Sequence, residues 1–426
     1  MTRCFVTLLM LPALAAAAPA YAQEKPPETV DLPAIVKLAR DVSPRLAVER
    51  QAIAGAEANR ITAGAYPNPT LSYGRFRPRS GQSSTLFDGT RQEQATVDVP
   101  LLIAGQRSAR VERAEREFEA AQARVISGAS SLAAEAGAAY VALLAAQEKS
   151  TLLADANGEL ERLRNVIAGR QASGMSSRYD LTRLDVELGG FRAKLDESKA
   201  DIADRAGNLA ALLGLPQWRP KAAGSLRPMK IESTVLNHAR DRAVSSPATV
   251  AASRDETAAQ SGVEVARRER WPVPSVSAGR AWTTEPYGSA NYLGLSVEIP
   301  IFDTKRGPLA KAEADAITAT LRRELTQAEV AAHLERLAGI ISSRESGLQR
   351  FEKESASKLP ELKQMAEDAY RLGRGSILEL LDSLRSRHEL QQTRIDLVAA
   401  LLEAQIRFLA TSGDREKTVG LAATQK

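Results

Sequence analysis

The chain repeats its own layout once, at a spacing of about 199 to 205 residues. Asp98-Val99-Pro100-Leu101 returns as Glu298-Ile299-Pro300-Ile301, and Tyr66-Pro67-Asn68-Pro69 returns as Trp271-Pro272-Val273-Pro274. Gly174 matches Gly373, Asp180 matches Glu379, and Gly214 matches Gly413. This period is far longer than the roughly 20–50 residues of a solenoid unit, so a domain-sized unit was duplicated. Any acceptable fold must therefore contain the same arrangement twice, and each copy combines two short strands with a very long helical stretch.

The strands announce themselves by a change of period. In Gln94-Ala95-Thr96-Val97-Asp98-Val99, and again in Leu293-Gly294-Leu295-Ser296-Val297-Glu298-Ile299, apolar residues alternate with polar or small ones. That is the pattern of a strand with one apolar and one polar face. Leu71–Phe76 and Ser275–Trp282 are the expected partners, joined to them through Arg77–Arg91 and Thr283–Asn291 as hairpins with long loops. Tyr66, Tyr73, Phe76, Phe87, Trp271, Trp282, Tyr287 and Tyr292 are 8 of the chain's 19 aromatic residues. Aromatic girdles at the rims of an apolar band fit a membrane barrel, although a small soluble sheet packed on helices fits the same pattern.

The helical stretches follow from what they lack. No proline occurs between Pro100 and Pro216, and a helix from about Gly105 to Ala172 is expected. It would span about 100 Å at 1.5 Å per residue. The run breaks at Gly174-Met175-Ser176-Ser177, resumes to about Leu213, and stops at Gly214-Leu215-Pro216. The second copy starts near Gly307, kinks at Pro360, breaks at Gly373-Arg374-Gly375 and ends at Gly413. Shorter helices, Asp31–Ala65 and Ile231–Arg270, precede the strands and are interrupted at Ser43-Pro44 and Ser246-Pro247.

Residues 1–22 read as a secretory signal: Arg3, an apolar stretch from Phe5 to Ala18, and Ala20-Tyr21-Ala22 before Gln23. The expected units are then a first repeat over 23–215 with a polar lead-in at 23–30, a linker at 216–230, a second repeat over 231–413, and a flexible tail at 414–426. No other uncharged apolar run reaches the length of a spanning helix. The one cysteine, Cys4, lies in the signal, so disulfide and thiol chemistry are excluded for the mature chain. A net charge of +5 without a basic block argues against nucleic acid as a partner. His238, His333 and His388 are far apart and lack ligand-spaced partners, so no metal site and no cofactor is expected. No phosphate loop or nucleophile motif is present, which argues against an enzyme.

Four strands leave free edges that lipid cannot satisfy, so a membrane sheet of this kind must close with strands from other protomers. The helical stripes of the long hairpins likewise call for partners.

These features together resemble the TolC-type outer membrane efflux protein family over nearly the whole mature length. The resemblance rests on the duplicated helix, strand-hairpin and helical-hairpin layout and on the helix breaks at Gly174 and Gly373. It rests also on the strand exits: Pro100-Leu101-Leu102 before Gly105-Gln106-Arg107, and Pro300-Ile301-Phe302-Asp303 before Arg306-Gly307. The exits look nearest to the CzcC/CusC heavy-metal branch. The resemblance implies a mainly α fold with a membrane β-barrel sector: long hairpins forming an α-barrel, four strands per protomer, and a homotrimer closing a twelve-stranded barrel. It implies an outer-membrane location with a helical tunnel in the periplasm. The expected partners are outer membrane lipid, a periplasmic adaptor protein and an inner-membrane RND-type pump.

The same resemblance assigns roles residue by residue. Glu379 and Asp382 match an acidic ring that narrows the tunnel. Asp180 and Tyr370 match a closing interaction between the hairpins. Ser173-Gly174-Met175 and Leu372-Gly373-Arg374 match the adaptor-contacting tips. One departure is Gly375, where the family can carry arginine; here Arg374 lies one place earlier. From the residues alone, Glu379 and Asp382 also fit ordinary solvated acids, and Asp180 fits a helix-dipole contact in the first turn after the break. Heavy-metal cations are the expected cargo. A duct for drugs or type I protein secretion, or a periplasmic coiled-coil scaffold without a barrel, are the competing readings.

Overall fold

The computed structural model describes residues 26–76, 92–283 and 288–414. Residues 1–25, which include the segment read as a signal, residues 77–91 and 284–287 with Phe87 and Tyr287, and residues 415–426 lie outside the described residues.

The first repeat begins with a short strand β1 (Thr29–Val30), then α1 (Leu32–Val42) and α2 (Pro44–Gly64). Asp31 caps α1 by accepting from the Ala34 amide at 2.9 Å. Ser43 is extended, at ψ 125°, as the residue before proline prefers, and this splits the expected single helix in two. Two strands follow, β2 (Thr70–Phe76) and β3 (Gln92–Pro100). The long hairpin is α3 (Gln106–Ala172), 67 residues long, and α4 (Arg178–Leu213).

A further strand β4 (Lys221–Ala222) lies between the repeats. The second repeat holds α5 (Ser233–Asn237), α6 (Pro247–Arg268), β5 (Pro274–Thr283) and β6 (Ser289–Val297). Its hairpin is α7 (Arg306–Glu354), α8 (Leu359–Arg371) and α9 (Ile377–Ser412). A 3-10 turn at Ala356–Lys358 separates α7 from α8, one turn before Pro360, at the expected kink.

The duplication persists in packing detail. Gly214 ends α4 at φ +73° and Gly413 ends α9 at φ +79°. A Cβ on Gly214 would lie 2.6 Å from the Pro44 ring, and one on Gly413 would lie 3.0 Å from the Pro247 ring. Each repeat therefore seats a helix-ending glycine on the proline that opens its own short helix.

Two apolar cores hold the helices. The larger joins both repeats through Leu143, Leu209, Leu213, Leu334, Ile341 and Phe408, all fully enclosed. The second lies toward the helix breaks, with Leu160, Ile167, Leu184, Phe191, Leu381 and Leu384. One stretch of α3 is long and apolar enough to cross a membrane by composition, but half of it is buried inside the protein. Leu132, Val141, Leu143 and Leu144 of α3 belong to the larger core, which accounts for that apolarity.

The segment read as a plain linker is a packed belt. β4 pairs in parallel with β1, Thr29 opposite Lys221 and Val30 opposite Ala222. Trp218 is buried and donates from Nε1 to the Pro27 carbonyl at 2.9 Å. Gln147 of α3 exchanges two bonds with the backbone of Ala222, and Gln405 of α9 does the same with Met229. The end of the polar lead-in joins the same belt, because the backbone of Thr29 and Val30 has strand partners.

The four longer strands form one antiparallel sheet in the order β2-β3-β5-β6. β3 and β5 pair from Gln92–Thr283 to Pro100–Ser275, so the sheet joins the two repeats. β2 and β6 are its edges.

Candidate functional site

The sheet has two chemically distinct faces. The register sets Leu71, Val97, Ala278 and Leu293 in one row, and Val99, Val276 and Leu295 in the next. Because alternate residues share a face, all of these point the same way. Leu71, Leu293 and Leu295 are about three-quarters exposed, an arrangement that water disfavours and hydrocarbon favours. The opposite face is polar. There Gln94 donates to the Tyr292 hydroxyl at 2.9 Å, Thr96 and Tyr292 share a hydrogen bond, and Ser277 donates to Asp98. Tyr66 and Trp271 stand exposed at the helix-side rim, and Tyr73 and Trp282 at the far rim. Arg107 clamps the helix-side rim, stacking 4.7 Å over Tyr66 and donating to the Gly64 carbonyl at 2.8 Å.

At the other end of the molecule the two helix breaks form matching tips. In the first, the Met175 amide bonds to the Arg170 carbonyl at 2.8 Å and the Gly174 amide to Gln171 at 3.0 Å, with Gly174 at φ +72°. In the second, the Arg374 amide bonds to Ala369 at 2.9 Å and the Gly373 amide to Tyr370 at 3.1 Å, with Gly373 at φ +70°. Both are left-handed glycine closures of a helix end. The Ser173 hydroxyl donates to the Gly169 carbonyl at 3.0 Å. Met175, Leu372 and Arg374 project from the tips and are exposed.

Each next helix opens with a reciprocal cap. Ser177 accepts from the Asp180 amide while Asp180 accepts from the Ser177 amide, both at 3.1 Å. Ser376 and Glu379 repeat this at 3.3 and 3.2 Å. The pattern Ser-x-x-acid is legible in the sequence at both breaks and gives Asp180 and Glu379 a role that matching them as a pair alone did not. Burial works to raise the Asp180 carboxyl, but hydrogen bonds from the Ser177 amide, the Ser177 hydroxyl and the Ser176 hydroxyl outweigh it. The group is held below the ordinary carboxylate range.

The two tips lie side by side. The Arg170 guanidinium of α3 stands 5.6 Å from the Tyr370 ring of α8, and Tyr370 packs on the second core. Asp180 and Tyr370 are not hydrogen-bonded to one another among the described residues; the carboxylate of Asp180 is engaged by Ser176 and Ser177. Glu379 and Asp382 are both exposed, three residues apart on one face of α9. The charge of Asp382 reinforces that of Glu187 on Arg385.

Further ion pairs that sequence reading missed fasten the region above the tips. Arg385 of α9 binds Glu187 of α4, and Glu159 of α3 binds both Arg387 of α9 and Lys363 of α8. Burial pushes the Glu159 carboxyl up, but its two cations prevail and hold it low. These partners are up to 228 residues apart and carry no local signal.

A four-stranded sheet with one apolar and one polar face continues into long helical hairpins, of which α3 alone spans about 100 Å. Residues 35–215 match the family model described as outer membrane efflux protein. The chain is 25% identical to the cobalt-zinc-cadmium resistance protein CzcC of Cupriavidus metallidurans, over 90% of this chain and 86% of that protein. It is 27% identical to the nickel-cobalt-cadmium resistance protein NccC of Alcaligenes xylosoxydans xylosoxydans, over 72% of this chain and 68% of that protein. The fold matches the crystal structure of the transmembrane channel CusC with a TM-score of 0.72, at 18% identity, over 89% of this chain and 91% of that one.

Proposed function

We propose that three copies of this chain close a twelve-stranded barrel and a continuous helical tunnel, forming the passive exit duct of a tripartite efflux system. The observation that carries this is the four-stranded sheet with an apolar face and two edges, β2 and β6, that have no outer strand partner among the described residues. Unpaired edges cannot persist in hydrocarbon, so β6 of one protomer pairs with β2 of the next. The polar face then lines the lumen.

The duct does no chemistry. Cargo enters at the tips from an inner-membrane RND-type pump docked through a periplasmic adaptor, and leaves through the barrel. Glu379 and Asp382 bring acidic charge to the entrance, where three copies of each would attract cations. Asp180 on one hairpin and Tyr370 on the other serve the closing interaction between the two hairpins. The cargo is heavy-metal cations, a reading supported by relatives named for cobalt, zinc, cadmium and nickel resistance.

Planar-bilayer recording of the purified mature protein tests the duct. Discrete single-channel currents from a trimer are expected. A folded, detergent-independent protein that yields no current would overturn the membrane reading in favour of a periplasmic scaffold. Deleting the gene and measuring growth on cobalt, zinc, cadmium and nickel tests the cargo. Unchanged tolerance with altered sensitivity to drugs would replace metals by organic substrates.

A further inference from the structure

We propose that the lipid-facing side of the sheet, at the end remote from the helices, binds the phosphorylated headgroup of an outer-leaflet glycolipid through Arg280 and Arg75. The proposal rests on the membrane reading above.

The strand register carries the argument. Moving away from the helices, the aliphatic row Leu71, Val97, Ala278, Leu293 is followed by Tyr73, Ala95, Arg280, Asn291 and then by Arg75, Glu93, Trp282, Ser289. All lie on the same apolar face, because each row is two residues from the last. The opposite end of this face differs. There Val99, Val276 and Leu295 are followed by Pro274 opposite Val297, with no charge in either row. The two arginines are therefore confined to the distal border of the apolar band.

Their surroundings separate them. Arg75 is 3.3 Å from Glu93 and is locally balanced. Arg280 is exposed, donates to the Ser289 hydroxyl at 2.8 Å, and stands 5.9 Å from the Trp282 ring. Among the described residues no carboxylate forms an ion pair with Arg280. A hydroxyl and an indole fix the guanidinium in place without neutralising it.

An unneutralised cation on a lipid-facing surface is costly unless an anion meets it. The anion available at that depth is a headgroup phosphate, and a guanidinium fork matches phosphate oxygens in pairs. Arg75 and Arg280 stand on β2 and β5 with β3 between them and one same-face row apart, so their Cα atoms are about 12 Å apart at the usual strand spacing and rise. Two phosphates on one disaccharide headgroup could engage both. Exposed Tyr73 and Trp282 supply amphipathic rings at the same level, suited to sugar and acyl-chain boundaries.

The test is native mass spectrometry of the whole trimer with three lipids: bis-phosphorylated lipid A, the same lipid A enzymatically dephosphorylated, and phosphatidylglycerol. Bis-phosphorylated lipid A is expected to be retained at least tenfold better than the dephosphorylated form and better than phosphatidylglycerol. Arg280→Gln is expected to abolish most of that preference, and Arg280→Lys to keep only part of it. Equal retention of the two forms of lipid A by the wild-type protein overturns the proposal, and does so without any variant. A preference that survives Arg280→Gln overturns the assignment to this residue. Channel recording on the same samples separates the two readings: normal currents without lipid discrimination defeat the lipid site alone, and absence of currents defeats the membrane reading with it.

Discussion

Arg385 holds Glu187 with two nitrogens, Nε at 2.6 Å from Oε1 and a terminal nitrogen on Oε2. The pair ties α9 of the second repeat to α4 of the first. Glu187 is only 8% exposed, whereas Arg385 is 43% exposed. Replacing Arg385 by Met strands a buried carboxylate while removing a partly solvated cation. The expected cost is about 2 kcal/mol, below that of a fully buried pair. Local opening near the tips should rise about thirtyfold, read as faster hydrogen exchange in residues 178–195 and 377–392. Exchange in the strands should not change. Adding Glu187→Gln should restore part of the loss.

The capped carboxylate of Asp180 makes the first tip sensitive to acid. Its value is depressed in the folded state, so its contribution is complete above the ordinary carboxylate value of 3.8 and is lost as pH falls through the folded value. Asp180→Ala should cost about 1 kcal/mol near pH 7. The difference between wild type and variant should shrink progressively below about pH 4. Hydrogen exchange of residues 178–184 across that range is the check; a gap that stays constant would remove the carboxylate from the explanation.

Gly174 and Gly373 have open space where a Cβ would stand, since nothing lies within 4 Å. Alanine at either position is therefore opposed by its positive φ alone, at about 1 kcal/mol each. Asparagine should be better tolerated than alanine. Tryptophan at both should instead fail in adaptor cross-linking and efflux while single-channel conductance persists. Undiminished cross-linking would remove the tips from the adaptor interface.

Glu379 serves two purposes that a substitution can separate. Glutamine keeps an oxygen for the Ser376 amide but removes the charge. If Glu379 and Asp382 narrow a cation-attracting entrance, Glu379→Gln with Asp382→Asn should lower cation over anion selectivity several-fold with little loss of stability. Reversal potentials in asymmetric potassium chloride measure this. Unchanged selectivity would return both to the status of solvated acids.

The sequence by itself determined the elements. A switch from period 3.6 to period 2 marks β3 and β6, proline-free runs give α3, and glycines at 174, 214, 373 and 413 end helices where the backbone turns left-handed. Those signals are local, set by neighbours within a turn or a pleat. The serine–acid caps at both tips are local too, set by the Ser-x-x-acid spacing. What the tertiary structure decided is everything that depends on which elements meet. β3 pairs with β5 across the repeats, residues 216–230 become a belt bonded to α3 and α9, and Glu187 finds Arg385. Periodicity fixes which face of an element is apolar, but not which of several similar faces it will join. That choice follows from the packing of the two long hairpins around shared cores, where burial and hydrogen-bond completion are satisfied together.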